Sequence, residues 1–125
     1  MLKLDSVFIN TADSQKLADF YQKIFQKKPE WEEDGYYGFN LESGGLLIGK
    51  HEKVKGINTS PDRIMFNLST SEVVDEFKRM VDLGAKVVAQ PYHPKQAESM
   101  TIATLADPDG NYFQLATPMS QSASN

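Results

Sequence analysis

Along residues 2–11, LKLDSVFINT, apolar and polar positions alternate and β-branched or aromatic residues dominate, which predicts a strand with two unlike faces. The period then changes. In SQKLADFYQKIF the residues Leu17, Phe20, Tyr21, Ile24 and Phe25 recur at helical spacing, so they predict a helix with one apolar face. Asp13 offers an N-cap, and Lys27, Lys28 and Pro29 supply the stop. Short strand-like segments follow around Trp31, over Tyr36–Leu41 and over Leu46–Lys50, parted by EEDG and ESGG, whose Asp-Gly and Gly-Gly pairs signal tight turns.

From Asp62 the same order begins again. RIMFNLS reads as a strand, and TSEVVDEFKRMVDL places Val73, Val74, Phe77, Met80 and Val81 on one helical face, with Ser69 and Glu72 as a capping box and Gly84 as the stop. AKVVAQPY, MTIATLA and NYFQLAT supply three more strands. A shift of 57 positions sets Asn10 on Asn67, Ser14 on Ser71 and Phe20 on Phe77; between the last strands a shift of 66 sets Gly44 on Gly110. The matching order of elements predicts an internal duplication. The expected organisation is one domain over 1–117, made of module 1 (2–50), a polar linker (51–61) and module 2 (62–117), with a flexible tail over 118–125.

Strand parity then sorts the side chains. Val7 and Ile9, Ile64, Phe66 and Leu68, and Phe113 and Leu115 are expected beneath the helices. The opposite face is expected to carry Ser6, Phe8 and Asn10; Arg63, Met65 and Asn67; and Tyr112, Gln114 and Ala116, joined by Leu46 and Ile48. A few polar groups on apolar walls describe a ligand cavity. A slightly polar core layer or an oligomer interface would carry the same mixture.

Composition narrows the partners. The 125 residues suffice for a core, and 40% hydrophobic with 24% charged residues matches an ordinary globular chain. With no Cys there is neither disulfide nor thiolate chemistry, and no apolar run reaches the ~18 residues of a membrane span. A cytoplasmic protein with no membrane partner is expected. A net charge of −4 is the wrong sign for a nucleic-acid surface.

The two halves, the phrase ADSQKLADFYQKIF after the first strand and LADPDGNYFQLATP near the end resemble the glyoxalase, bleomycin-resistance and extradiol-dioxygenase group, the vicinal oxygen chelate superfamily. The resemblance implies an α+β fold of two βαβββ modules, cup-shaped mixed sheets with helices outside, and a homodimer. It also implies divalent-metal positions in the first and last strand of each module, which fall here on Ser6, Ile48, Arg63 and Gln114. These are poor ligands: Ile has no donor, Gln is neutral, and Arg is a cation. An Arg63 ~6 Å from a dication at an effective dielectric of ~20 would be repelled by roughly 5 kcal/mol. His51 and His93, the only histidines, fall in the linker and a long loop without metal-ligand spacing.

The expectation is therefore a metal-independent protein without a cofactor that binds a small molecule through Ser6, Phe8, Asn10, Ile48, Arg63, Met65, Asn67, Tyr112 and Gln114. Trp31, Tyr36, Tyr37, Phe39 and Tyr92 are further candidates for stacking walls. Two alternatives stand beside it: a lactoylglutathione-lyase-like or other superfamily enzyme with a relocated metal, and a dimeric interaction module whose cup is filled by its own side chains.

Overall fold

The N-terminal alternation forms β1 (Ser6–Thr11), and the helical period after it forms α1 (Ser14–Phe25). In the computed structural model residues 1–118 are described, so of the expected tail all but Pro118 lies outside the described residues. Asp13 caps α1 as predicted, its carboxylate accepting from the Lys16 backbone N–H at 3.1 Å. The helix stops one residue before the Lys-Lys-Pro signal: Gln26 turns left-handed at φ 56°, and the Lys27 N–H reaches back to the Gln22 carbonyl at 3.2 Å.

After α1 come β2 (Trp31–Glu33), β3 (Tyr36–Leu41) and β4 (Gly44–Lys50). The sheet order is β1-β4-β3-β2, with β1 parallel to β4 and the other pairs antiparallel. Leu17, Phe20, Tyr21 and Ile24 of α1 are buried, as are Tyr37, Phe39, Leu46 and Ile48 of the sheet. Phe25 meets Phe39 edge-on at 5.3 Å between ring centres. This is the first compact unit, Met1–Ile57.

The second unit begins at Asn58. It holds β5 (Phe66–Ser69), α2 (Val73–Asp82), β6 (Lys86–Tyr92), β7 (Ile102–Ala106) and β8 (Tyr112–Ala116), ordered β5-β8-β7-β6. Phe66 and Phe113 stack at 5.7 Å, and Leu105, Leu115, Val73 and Met80 are buried. Both four-stranded sheets thus follow one connectivity, and the fold is α+β with two βαβββ modules.

Two predicted details change. The strand expected from Arg63 starts only at Phe66, because residues 60–63 form a turn, with the Arg63 N–H bonded to the Ser60 carbonyl at 3.2 Å. The Ser69–Glu72 capping box does not form. Ser69 is held in the ladder opposite Ala116, Glu72 is itself the N-cap without a side-chain bond, and Thr70 Oγ1 accepts from the Glu72 N–H at 3.0 Å instead.

Candidate functional site

In the first module β1, β4, β3 and β2 lie in register, and residues directly opposite each other share a face. Val7 pairs with Leu46 and Ile9 with Ile48, so both β4 residues belong to the helix side. This corrects the placement of Leu46 and Ile48 on the open face: Ile48 is fully buried under α1. The open face instead pairs Ser6 with Gly45, Phe8 with Leu47 and Asn10 with Gly49. It continues through Tyr36 and Gly38 of β3 to Trp31 of β2.

Two glycines seat the aromatic rings on that face. A Cβ at Gly38 would lie 2.4 Å from Trp31 Nε1, and one at Gly49 would lie 2.8 Å from ring carbons of both Phe8 and Tyr36. Only a residue without a side chain lets the rings lie this close to the strand backbone. Phe8 and Tyr36 meet edge-to-face at 6.1 Å, and they and Trp31 remain nearly half exposed. A groove of about 570 Å³ over the Ser6 end of the sheet is lined by Trp31, Leu47, Ser6 and Asn40, together with Lys3, Asp5 and Glu42. The result is a set of exposed apolar plates with a few hydroxyl, amide and charged groups alongside.

The second module has a different open face. Asn67 pairs with Gln114, and Gln114 pairs with Thr104, so the three stand side by side with Tyr112 and Ala116 on the same face of β8. Gln114 Nε2 donates to Thr104 Oγ1 at 3.1 Å, which fixes the amide and leaves its carbonyl oxygen as the acceptor. Arg63 and Met65 lie ahead of β5, where strand parity does not reach, and Arg63 is solvent-exposed in its turn. The structure thus groups Ser6, Phe8 and Asn10 in one module and Asn67, Tyr112 and Gln114 in the other, and leaves Ile48, Arg63 and Met65 out.

The DPDGN turn that launches β8 is fastened by Asp107, which is only 2% exposed. Its carboxylate accepts from the Asp109 N–H at 2.9 Å, the Asn111 N–H at 3.0 Å and Asn111 Nδ2 at 3.1 Å. Gly110, at φ 79°, adopts the left-handed conformation that completes the turn. Asn58 clasps it from outside, its N–H on the Asp109 carbonyl at 2.8 Å and Nδ2 on Asn111 Oδ1 at 3.0 Å. The turn sets the start of β8 and hence the face on which Gln114 emerges.

Leu47, Gly38, Gly49, Asn40 and Thr104 are the contributors that sequence reasoning missed. The signal for two of them was present: a glycine inside a strand marks a close approach. Leu47 was hidden because three apolar residues in a row, Leu46 to Ile48, carry no alternation.

Two sheets of this connectivity, each with a helix on one face and the other face left for different chemistry, define a duplicated-module α+β architecture. Residues 6–116 match the model of the glyoxalase-like domain, and the chain belongs to that family, within the vicinal oxygen chelate superfamily. Among solved structures it is similar to a glyoxalase-related enzyme from Fulvimarina pelagi, at 16% identity and TM-score 0.78, covering 94% of this chain and 89% of that one. It is likewise similar to a glyoxalase/bleomycin resistance protein/dioxygenase family enzyme from Burkholderia phytofirmans PsJN, at 18% identity and TM-score 0.76, covering 94% and 100%. An integron cassette protein from V. cholerae follows at 20% identity and TM-score 0.69, covering 95% and 97%. At such identities the likeness concerns the fold alone. Curated proteins give no match to the chain.

The metal implied by the superfamily does not fit the residues present. In the observed registers Asn10 stands to Gly49 as Asn67 stands to Gln114, so the first module offers no side chain at the last-strand position and only the Ser6 hydroxyl in β1. In the second module the Gln114 amide is neutral and already bonded, and Arg63 lies outside the strand, so its guanidinium does not stand at the expected first-strand position to repel a dication. Among the described residues no three His, Cys, Asp or Glu side chains gather to hold a metal elsewhere.

Proposed function

We propose that the chain is a small-molecule binding protein of the glyoxalase/bleomycin-resistance type that works without a metal ion, sequestering or sensing its ligand. The observation that carries this reading is the aromatic face of the first module: three rings held nearly half exposed on glycine seats. Burying such plates against a flat apolar ligand recovers hydrophobic free energy, and ring-to-ring contact adds about 0.5–1.5 kcal/mol per pair. On this face Ser6 and Asn10 supply hydrogen bonds to neutral polar groups of the ligand, and the open face of the second module separately offers Asn67, Tyr112 and Gln114 for the same kind of contact. The Gln114 carbonyl oxygen suits an amide or hydroxyl donor and not a cation in need of charge.

Trp31 is the sole tryptophan, so its emission reports directly on the face. The test is a thermal-shift and Trp-fluorescence screen of aromatic small molecules on protein treated with chelator. A hit present at ~100 times its dissociation constant is expected to add about 2.7 kcal/mol of stability. Stoichiometric metal in the purified protein, with ligand binding lost on its removal, would overturn the reading. The homodimer implied by the resemblance is a separate expectation, checked by sedimentation velocity.

A further inference from the structure

The chain holds two Asp-Gly pairs, Asp34-Gly35 between β2 and β3 and Asp109-Gly110 ahead of β8. An aspartyl side chain can close a five-membered ring on the next peptide nitrogen, and a following glycine favours this because no Cβ crowds that nitrogen. The structure treats the two pairs in opposite ways.

At Asp109 the peptide groups are tied down. The Asp109 N–H bonds to Asp107 Oδ1 at 2.9 Å, the Gly110 N–H bonds to the Asp107 carbonyl at 2.9 Å, and the Asp109 carbonyl accepts from the Asn58 N–H at 2.8 Å. Ring closure must turn the peptide between Asp109 and Gly110 and commit the Gly110 nitrogen, which breaks this set. Nothing comparable holds Asp34. The residue is exposed, and neither its carboxylate nor the Gly35 N–H is hydrogen-bonded among the described residues.

The same two residues are the whole connection between Glu33 and Tyr36, which pair across the hairpin. Both are left-handed, Asp34 at φ 52° and Gly35 at φ 82°, the conformation that lets a two-residue turn match the twist of its strands. β2 is an exposed edge strand of three residues joined to the sheet through β3, and beyond its far end the Glu30 N–H is fixed to the Gly38 carbonyl at 2.8 Å. A change of main-chain length at the turn therefore opens the hairpin from the Glu33–Tyr36 end.

We propose that Asp34 is a site of spontaneous isomerisation to isoaspartate, and that the product opens the β2–β3 hairpin. The Gly35 nitrogen attacks the side-chain carboxyl carbon of Asp34; a C–N bond forms, and one carboxyl oxygen leaves as water with the amide proton and the acid proton. Water then adds to the cyclic imide at either carbonyl. Opening at the former side-chain carbon restores aspartate, whereas opening at the former main-chain carbon routes the backbone through the side chain and makes it one methylene longer. No oxidant, metal or second protein is required. Trp31 and Tyr36 flank this turn, so an aged chain presents its aromatic face with one margin loosened, whatever that face binds.

The test is to incubate the full chain at neutral pH and physiological temperature for several weeks, then locate isoaspartate by peptide mapping and count it by isoaspartyl-specific carboxyl methylation. Isoaspartate should build up at Asp34 at least about tenfold faster than at Asp109, where closure must first give up hydrogen bonds. In denaturant both pairs are equally free, and the two rates should converge. Asp34→Glu, which would need a six-membered ring, should abolish the signal at this position and leave Asp109 unchanged. Asp34→Asn keeps a residue that tolerates the left-handed turn and loses ammonia in place of water, so it should hasten the reaction. In the isomerised chain the backbone amide signals of Glu33 and Tyr36 should move, and those over 107–111 should stay. No isoaspartate at Asp34 in the folded chain, equal rates at the two sites, or unmoved Glu33 and Tyr36 signals once Asp34 has isomerised would overturn the proposal.

Discussion

In the first module Trp31, Phe8 and Tyr36 spread over Gly38 and Gly49, whereas the second module carries Asn67, Gln114 and Thr104 on the matching strands and ties two of them together. The helix sides differ less, since Phe39 and Ile48 in one and Phe113 and Leu105 in the other are all fully buried. One strand order therefore constrains the covered faces alike, because each must fill the space beneath a helix, while the uncovered faces are free to diverge in chemistry. The first has become apolar and aromatic, the second polar.

Substitutions can break or sharpen that contrast. The largest effect is expected from truncating a buried ring: Phe39→Ala and Phe113→Ala should each cost about 3–5 kcal/mol in urea denaturation. A much smaller loss at Phe113 would show that the two cores are not comparable after all. Next is the turn before the last strand. Asp107→Ala should cost about 2–3 kcal/mol by leaving its N–H donors unsatisfied, while Glu42→Ala, at the exposed turn before β4, should stay within about 0.5 kcal/mol.

Gly38→Ala installs the residue that the second module has at Ala106. Its Cβ must push the Trp31 ring aside, at a cost of about 1 kcal/mol since that ring is free to swing into solvent, with a red shift of the Trp31 emission. Unchanged emission would mean that the glycine seat does not position the ring. The two helix starts offer a similar contrast. Asp13→Ala should lose about 1 kcal/mol with its cap, and Glu72→Ala, whose side chain makes no cap bond, should lie within about 0.5 kcal/mol of the parent.

The smallest effect at neutral pH is expected from Tyr37→Phe, about 0.5–1 kcal/mol for the bond to Gln15. Its diagnostic lies in alkali. Because the folded phenol titrates above the ordinary 10.0, its contribution is complete below that pH and is lost as pH rises through the folded value. Denaturation midpoints of Tyr37→Phe should therefore fall less steeply above pH 10.0 than those of the parent.

Much of the fold was legible in the sequence. The helix Ser14–Phe25, its Asp13 cap, the strand Tyr36–Leu41 and the repeated order of elements all followed from period and turn chemistry, because these signals are local. The site was less so. Ser6, Phe8 and Asn10 share the predicted face, as do Asn67, Tyr112 and Gln114, since parity within a single strand is also local. Arg63 and Met65 were misread because nothing in RIMFNLS marks where pairing starts.

Period and polarity by themselves determined what kind of element each segment forms and which of its residues stand together on one face. They left open which residue of one strand lies opposite which residue of the next. A shift of 66 between the last strands set Ile48 against Gln114, whereas the ladders Asn10–Gly49 and Asn67–Gln114 require 65. A slip of one residue reverses every side chain of a strand, so Ile48 moved under α1 and Gly49 took its place beneath the rings. That register is decided by the packing of α1 over Leu46 and Ile48 and by pairing with β1 and β3, which are tertiary contacts and leave no mark on the strand's own sequence.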